Sequence, residues 1–382
     1  VIGGIPIGTD DYVSTWCEKL ADTTTKKIQR IVEFGTYRPD ISVRMISAIA
    51  RFSTAYAACG IPPALAVNHW ERIDNEITEA VRSITRPPGT LSESYSDVRF
   101  QRAIIICRLP GIHGGLDFGS AVSASAPRFV TGFVMACNDP IFRQFRHHLK
   151  EHVEDAYDTI LDTLNIQVLL PGHPLAYYLP SDKSCLTEGP WAKKLVQRRK
   201  HLRMFGAIIR MVNEKSALNF LEMCTPDPEA DLTIRDCVHI HTVIQRSQNS
   251  RAFTSASLAD RRNAMDPEVF ISALRHHLNL PQARRGLRWQ HDEDTGCWLE
   301  ECMGNHGNQH GPGAGTLIEP TGAHCGTCPS SALPRYQAHN NLNKCLSDAA
   351  KEAGWTVEIE PRNSKILNYS ITSEQLAVQF AT

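Results

Sequence analysis

The chain has almost no net charge: 40 Lys and Arg stand against 41 Asp and Glu, for a formal charge of −1. That balance excludes a molecule-wide positive field, so any attraction to nucleic acid has to come from a local patch. Long hydrophobic runs are missing too. None approaches the roughly 20 apolar residues that cross a bilayer, which excludes a helical membrane span and a membrane partner. The 12 cysteines are spread over segments of helical character instead of crowding a short loop-rich frame. This excludes a disulfide-stapled scaffold and predicts reduced thiols together with one metal site. There is no Walker-type phosphate loop and no Ser nucleophile elbow, and no catalytic constellation stands out. The opening residues, Val1-Ile2-Gly3-Gly4-Ile5-Pro6, carry no charged leader, cleavage pattern or initiator Met. They predict an intracellular segment, nuclear or cytoplasmic, that begins inside a longer reading frame.

What is present is helical periodicity. With 382 residues, 42% of them hydrophobic, the chain can bury two or three folding units. Thr9-Asp10-Asp11 offers N-cap residues for a helix near 11–34, and capping accounts for the acidic pair better than metal binding does. From Pro39, Ile41, Met45, Ile49, Phe52 and Tyr56 keep helical spacing and predict one apolar face. A further helix carries Trp70, Ile73, Ile77, Val81 and Ile84 and ends at Arg86-Pro87-Pro88-Gly89. Ile104-Ile105-Ile106 is β-branched and strand-like, and Gly111, Gly114, Gly115 and Gly119 predict a long turn. Helices follow through Phe129, Phe133 and Met135, then over 141–164. Pro171, Pro174 and Pro180 mark 165–190 as an irregular loop or domain hinge. A long helix fits 191–223 with Leu195, Leu202, Phe205, Ile209, Val212 and Leu221 on its apolar side, and shorter ones fit 233–246 and 266–279. Residues 303–334 should lack regular structure. A last helix spans 340–353, with Gly354 just past its end, before a strand at Trp355–Glu360.

The most chemical stretch places Cys297, Cys302, His306, His310, His324, Cys325 and Cys328 within 32 residues. Zinc takes about four thiolate or imidazole donors, usually as two close pairs across a loop. Cys297 and Cys302 form the first pair. The second is either His324 with Cys328 or Cys325 with Cys328, while His306 and His310 read better as solvated side chains. A Gly-rich segment with almost no apolar residues needs such a staple to hold a shape. The competing reading is a plain loop with incidental Cys and His.

Lys193, Lys194, Arg198, Arg199, Lys200 and Arg203 put six cations into eleven residues with no acid among them. Such patches hold phosphate backbones by charge and counterion release, and RNA or DNA is the partner they imply. A solvated face of an amphipathic helix is the bland alternative. Arg284, Arg285 and Arg288 form a weaker basic group, and Glu358 with Glu360 lie on one face of the last strand, as nuclease-like carboxylates or as surface Glu.

Several stretches, in this order, resemble the C-terminal part of non-LTR retrotransposon proteins that join a reverse transcriptase to a restriction-like endonuclease. Ile2-Gly3-Gly4-Ile5-Pro6-Ile7-Gly8 resembles the family's LG-x-P-I-G hairpin, with Gly where Leu is usual. Arg108-Leu109-Pro110 followed by Gly114-Gly115-Leu116 is similar to its R-L-P…G-G-L-G-L, with Asp117 in place of the following Gly. Asp266-Pro267-Glu268, Phe270, Leu274-Arg275 and Leu278-Asn279-Leu280-Pro281 resemble the stretch before the zinc knuckle. Gly322-x-His324-x₃-Cys328 matches its G-x-H-x₃-C half and so favours His324 over Cys325. Ala338-His339-Asn340-Asn341-Leu342-Asn343 is similar to R-H-N-x-x-N, and Glu360-Pro361-Arg362 to E-P-R.

The resemblance implies a mainly α fold, a helical bundle with a small irregular zinc-knuckle module and a truncated α/β C-terminal segment. Residues 1–35 would close a polymerase palm and enter the thumb, 36–164 would form a thumb-like region and 165–290 a helical linker with the basic helix. Residues 291–335 would form the zinc-knuckle-like module, and 336–382 a truncated endonuclease-like segment. Structural zinc on Cys297, Cys302, His324 and Cys328 is the implied cofactor. The polymerase's aspartate pair would precede Val1, and 363–382 contain no Asp to serve a nuclease. Phosphoryl transfer of both kinds relies on carboxylates that hold divalent metals, so the expectation is a nucleic-acid-binding remnant without catalysis. A non-enzymatic helical scaffold with structural zinc is the alternative, and a residual nuclease using Glu358 and Glu360 is a third reading.

Overall fold

The computed structural model describes residues 5–86 except 7, 97–186 except 138, 140 and 141, then 201–226, 234–245 and 267–280. Beyond these it describes 289–291, 298–301, 317–318, 344, 347–348, 351–352 and 354. The chain divides into two units, Val1–Ala283 and Arg284–Thr382. The protein is mainly helical, as its periodicity predicts.

The first unit begins with α1 (Asp10–Gly35), where Thr9 accepts a hydrogen bond from the Tyr12 amide at 3.4 Å and Asp10 and Asp11 fill the first turn. Both effects stabilise a helix start, so the acidic pair is a capping feature. Next come α2 (Pro39–Phe52) and α3 (Pro63–Thr85), each with Pro in the first turn, where its missing N–H costs nothing. Trp70, Ile73, Ile77, Val81 and Ile84 are all buried along α3, as their spacing predicts. Burying side chains of this kind contributes roughly 1.5–3 kcal/mol each.

The apolar face expected for α2 is only partly the packed one: Ile49 rests half-buried against the core, but its neighbours on that face do not enter it. Val43, Ile46 and Ala50 are buried with Ser42 and Ser47, whereas Met45, Phe52 and the following Tyr56 are exposed. The serines decide this outcome. Ser42 Oγ donates to the Ile31 carbonyl at 2.9 Å and Ser47 Oγ to the Leu116 carbonyl at 3.3 Å. Small, satisfied hydroxyls can enter a core at little cost.

The Ile104-Ile105-Ile106 run is also corrected. It lies in α4 (Asp97–Arg108), which buries Phe100, Ala103, Ile104, Ile106 and Cys107. Packing overrides β-branched propensity here. After the turn at Gly111–His113 comes α5 (Ala121–Ala136), capped by Ser120. Buried Asp74 of α3 accepts from Ser120 Oγ at 2.6 Å and from the Ala121 amide at 2.8 Å, which ties two helices together. α6 (Phe142–Phe145) and α7 (Lys150–Thr163) follow, then α8 (His201–Met223), α9 (Ile234–Gln245) and α10 (Pro267–His277).

Two apolar clusters organise this unit. One joins α1 to α4 with residues of α8, α9 and α10, and the other joins α5, α7 and the first half of α8. Residues 165–186 are irregular, as predicted, but they are not a loose hinge: Leu169, Leu175, Leu179 and Leu186 are buried in the second cluster. Tyr157 Oη also donates to the Pro180 carbonyl at 2.6 Å.

In the second unit, β1 (Trp289–His291), β2 (Trp298–Glu301) and β3 (Leu317–Ile318) form an antiparallel sheet in that order. Leu317 pairs with Glu301 and Ile318 with Glu300. Regular structure therefore enters the stretch expected to have none. At about 3.3 Å per residue, the ends of β2 lie about 10 Å apart. Gly354 has the positive φ of 83° that its predicted position past a helix end requires. The strand expected at 355–360 lies outside the described residues.

Candidate nucleic-acid interface

Of the basic run, Lys193, Lys194, Arg198, Arg199 and Lys200 lie outside the described residues, and Arg203 is exposed in the first turn of α8. Two residues on, half-buried Phe205 carries the Arg128 guanidinium of α5, 5.3 Å from its ring centroid. Arg128 reaches α2 as well, donating to the Arg51 carbonyl at 2.8 Å and to Thr54 Oγ1 at 3.3 Å. Arg51 in turn sits 5.3 Å from the centroid of the exposed Phe52 ring.

Three helices thus set guanidinium groups beside rings: Arg51 with Phe52 on α2, and Arg128 of α5 with Phe205 of α8. Burial lowers the Arg128 pKa from its ordinary value, and the nearby Cys59 thiol opposes that shift. An arginine stays charged at neutral pH regardless. Gly206 is exposed on α8, and no described residue beyond its own helix backbone comes within 4 Å of where a Cβ would sit. From Ile41 to Trp70 the sequence holds no Asp or Glu. That acid-free stretch was the available signal for Arg51 and Phe52. Arg128 is joined to them only by tertiary packing.

The segment after α4 forms a hub. Leu116 and Phe118 amides donate to the Cys107 carbonyl at 3.3 and 3.1 Å, and the Asp117 amide donates to Leu109 at 3.0 Å. A Cβ on Gly115 would fall 1.8 Å from the Leu109 carbonyl oxygen, so only Gly fits. Asp117 adopts φ 59° and its carboxylate accepts from the Gly111 amide at 3.0 Å. Asp tolerates this left-handed conformation when its side chain bonds locally. Ser47 holds this hub from α2, and His277 Nε2 of α10 donates to the Gly114 carbonyl at 2.7 Å.

His277 makes the hub sensitive to acid. Burial, with smaller contributions from His239 and His276, lowers its pKa from 6.5 to about 4, although the bond to Gly114 opposes the shift. His239, whose ring is 4.7 Å from that of His276, is also lowered. A depressed imidazole leaves stability intact above the unfolded value. As pH falls through the window from 6.5 to about 4, the unfolded chain takes up a proton that the folded one refuses. Stability should then drop by about 1.4 kcal/mol per pH unit, or about 3 kcal/mol in total from this group. Urea unfolding at a series of pH values checks this: His277→Gln, which keeps a donor for Gly114, should flatten the decline. An unchanged slope would remove His277 as its source.

Among the described residues no group of three or more His, Cys, Asp or Glu converges as a metal site. Cys297, Cys302, His306, His310, His324, Cys325, Cys328, Arg284, Arg285, Arg288, Glu358 and Glu360 lie outside them. Burial raises the Cys17 and Cys224 thiols to about 11, so these cysteines are protonated structural groups. No helix among the described residues is long and apolar enough to cross a membrane. Comparison with protein-family models, curated proteins and solved structures returns no match.

Proposed function

We propose that this chain binds RNA or DNA as the thumb, linker and zinc-knuckle portion of a protein like the non-LTR retrotransposon reverse transcriptases. The observation that carries the binding is the acid-free cationic run over 193–203, whose described end, Arg203, is exposed in the first turn of α8. The kinship reading is supported by the hub. The R-L-P…G-G-L stretch and the segment at 266–281 meet through His277 and Gly114, 163 residues apart in the chain. Asp117, which stands where that pattern has Gly, adopts a left-handed φ of 59°.

Binding of this kind weakens steeply with salt because each neutralised phosphate releases counterions. Titrating the full chain with labelled RNA and DNA at rising salt tests the proposal. A flat response, with no retention on heparin, would favour the rival reading of a helical scaffold without a nucleic-acid role.

The zinc proposal places one structural ion on Cys297, Cys302, His324 and Cys328, with His324 preferred over Cys325. Purified protein should carry one equivalent of zinc. His324→Ala and Cys328→Ser should each lose it, whereas Cys325→Ser should keep it. Elemental analysis of the three variants decides among ligand sets, and zinc-free wild-type protein would end the proposal.

A further inference from the structure

We infer that the exposed stripe of α2 and its following turn binds single-stranded nucleic acid by base stacking. The inference rests on the nucleic-acid reading above and names the form of nucleic acid this face takes. Met45 is 43% exposed, Phe52 66% and Tyr56 59%, while the opposite side of α2 is buried. α2 ends at Phe52, and turns over 53–56 lead into a short 3₁₀ helix at Ala57–Cys59: the Ser53 amide donates to Ile49 at 2.9 Å, the Ala55 amide to Phe52 at 3.3 Å and the Ala58 amide to Thr54 at 2.9 Å. Phe52 closes α2 and Tyr56 lies in the turn that follows, and both rings are exposed.

A core does not need these rings, and water disfavours them. Their surroundings indicate what covers them. Arg51 lies against Phe52, Arg128 fastens this end of α2 to α5 and stacks on Phe205, and the stretch from Ile41 to Trp70 contributes no carboxylate. Rings beside guanidinium groups match a strand whose flat bases alternate with phosphates. Arginine beside aromatic rings also serves protein–protein contacts, so it is the lack of any acid from Ile41 to Trp70 that favours an anionic strand. A duplex keeps its bases stacked inside and offers the rings no face, whereas an unpaired strand offers one per nucleotide.

The test uses the full chain, a labelled single-stranded RNA oligonucleotide and the duplex made with its complement. Phe52→Ala/Tyr56→Ala should weaken single-strand binding by about ten-fold or more per ring, and duplex binding by less than about three-fold. Phe52→Trp/Tyr56→Trp should bind the single strand as tightly as wild type or tighter. Both rings are exposed, so thermal unfolding of the variants should match wild type. Single-strand affinity unchanged by the alanine pair, while the cationic run remains essential, would overturn this inference and leave the proposed function standing. Equal losses on both probes would overturn stacking, and so would a wild-type dimer in sedimentation that the alanine pair dissociates. Failure of the wild-type chain to bind either probe would bring down both proposals.

Discussion

Replacing Arg99 with Met should cost about 3–5 kcal/mol of folding stability, the range for breaking a buried ion pair by removing one partner. Arg99 and Asp236 are 2% and 4% exposed and meet in a forked contact, Nη1–Oδ1 at 3.1 Å and Nη2–Oδ2 at 3.4 Å. Nη1 also donates to the Asn279 carbonyl at 3.4 Å, so one side chain on α4 holds α9 and the end of α10. Without the guanidinium, the Asp236 carboxylate is left charged in a low-dielectric setting, and that desolvation dominates the loss. Asp236→Ala should be comparably harmful. The double variant Arg99→Met/Asp236→Leu should recover most of the loss, because an apolar pair leaves no orphaned charge. Since domains are stable by about 5–15 kcal/mol, the single variants should show greatly lowered urea midpoints. A loss below about 1 kcal/mol would mean the pair is solvated and the clamp is not energetic.

Reversing Lys194, Arg198 and Arg199 together to Glu should weaken RNA or DNA binding by about 1,000-fold near physiological salt. Each lost phosphate contact removes close to one unit of salt slope, and the new carboxylates repel the backbone. The slope of log affinity against log salt should therefore fall by about three. These two readouts separate a direct role from a structural one, since a misfolded protein would lose affinity without a defined change of slope. Charge-neutral Gln at the same three positions should give an intermediate loss. Binding that survives the reversal at full strength would dismiss the run as a solvated helix face.

Helices were legible wherever apolar spacing and capping agreed. Thr9 and the Trp70 stripe are examples, because local hydrogen bonds and one-sided burial both leave marks in the sequence. The face of α2 was not legible. Two apolar-looking choices competed, and the result depended on whether carbonyls of Ile31 and Leu116 stood ready for Ser42 and Ser47, which only the tertiary fold supplies. The isoleucine run in α4 failed for a similar reason, since local propensity is weaker than the packing around Phe100. Of the interface, the cationic run was visible as composition. Arg128 was not, because its link to Arg51 spans 77 residues and leaves no periodic trace.

The hub after α4 has a consequence for how the molecule can be cut. Its turn is completed by Ser47 from before it and by Val243 and His277 from long after it. Ribosomal synthesis therefore delivers that turn well ahead of two of its supports, and closure of so long a loop makes its assembly a late, slow event. A protease nick or a clone boundary among Pro171, Pro174 and Pro180 would separate leucines that share an interior with α5, α7 and α8. A shortened version with native helices has to run at least through Leu280.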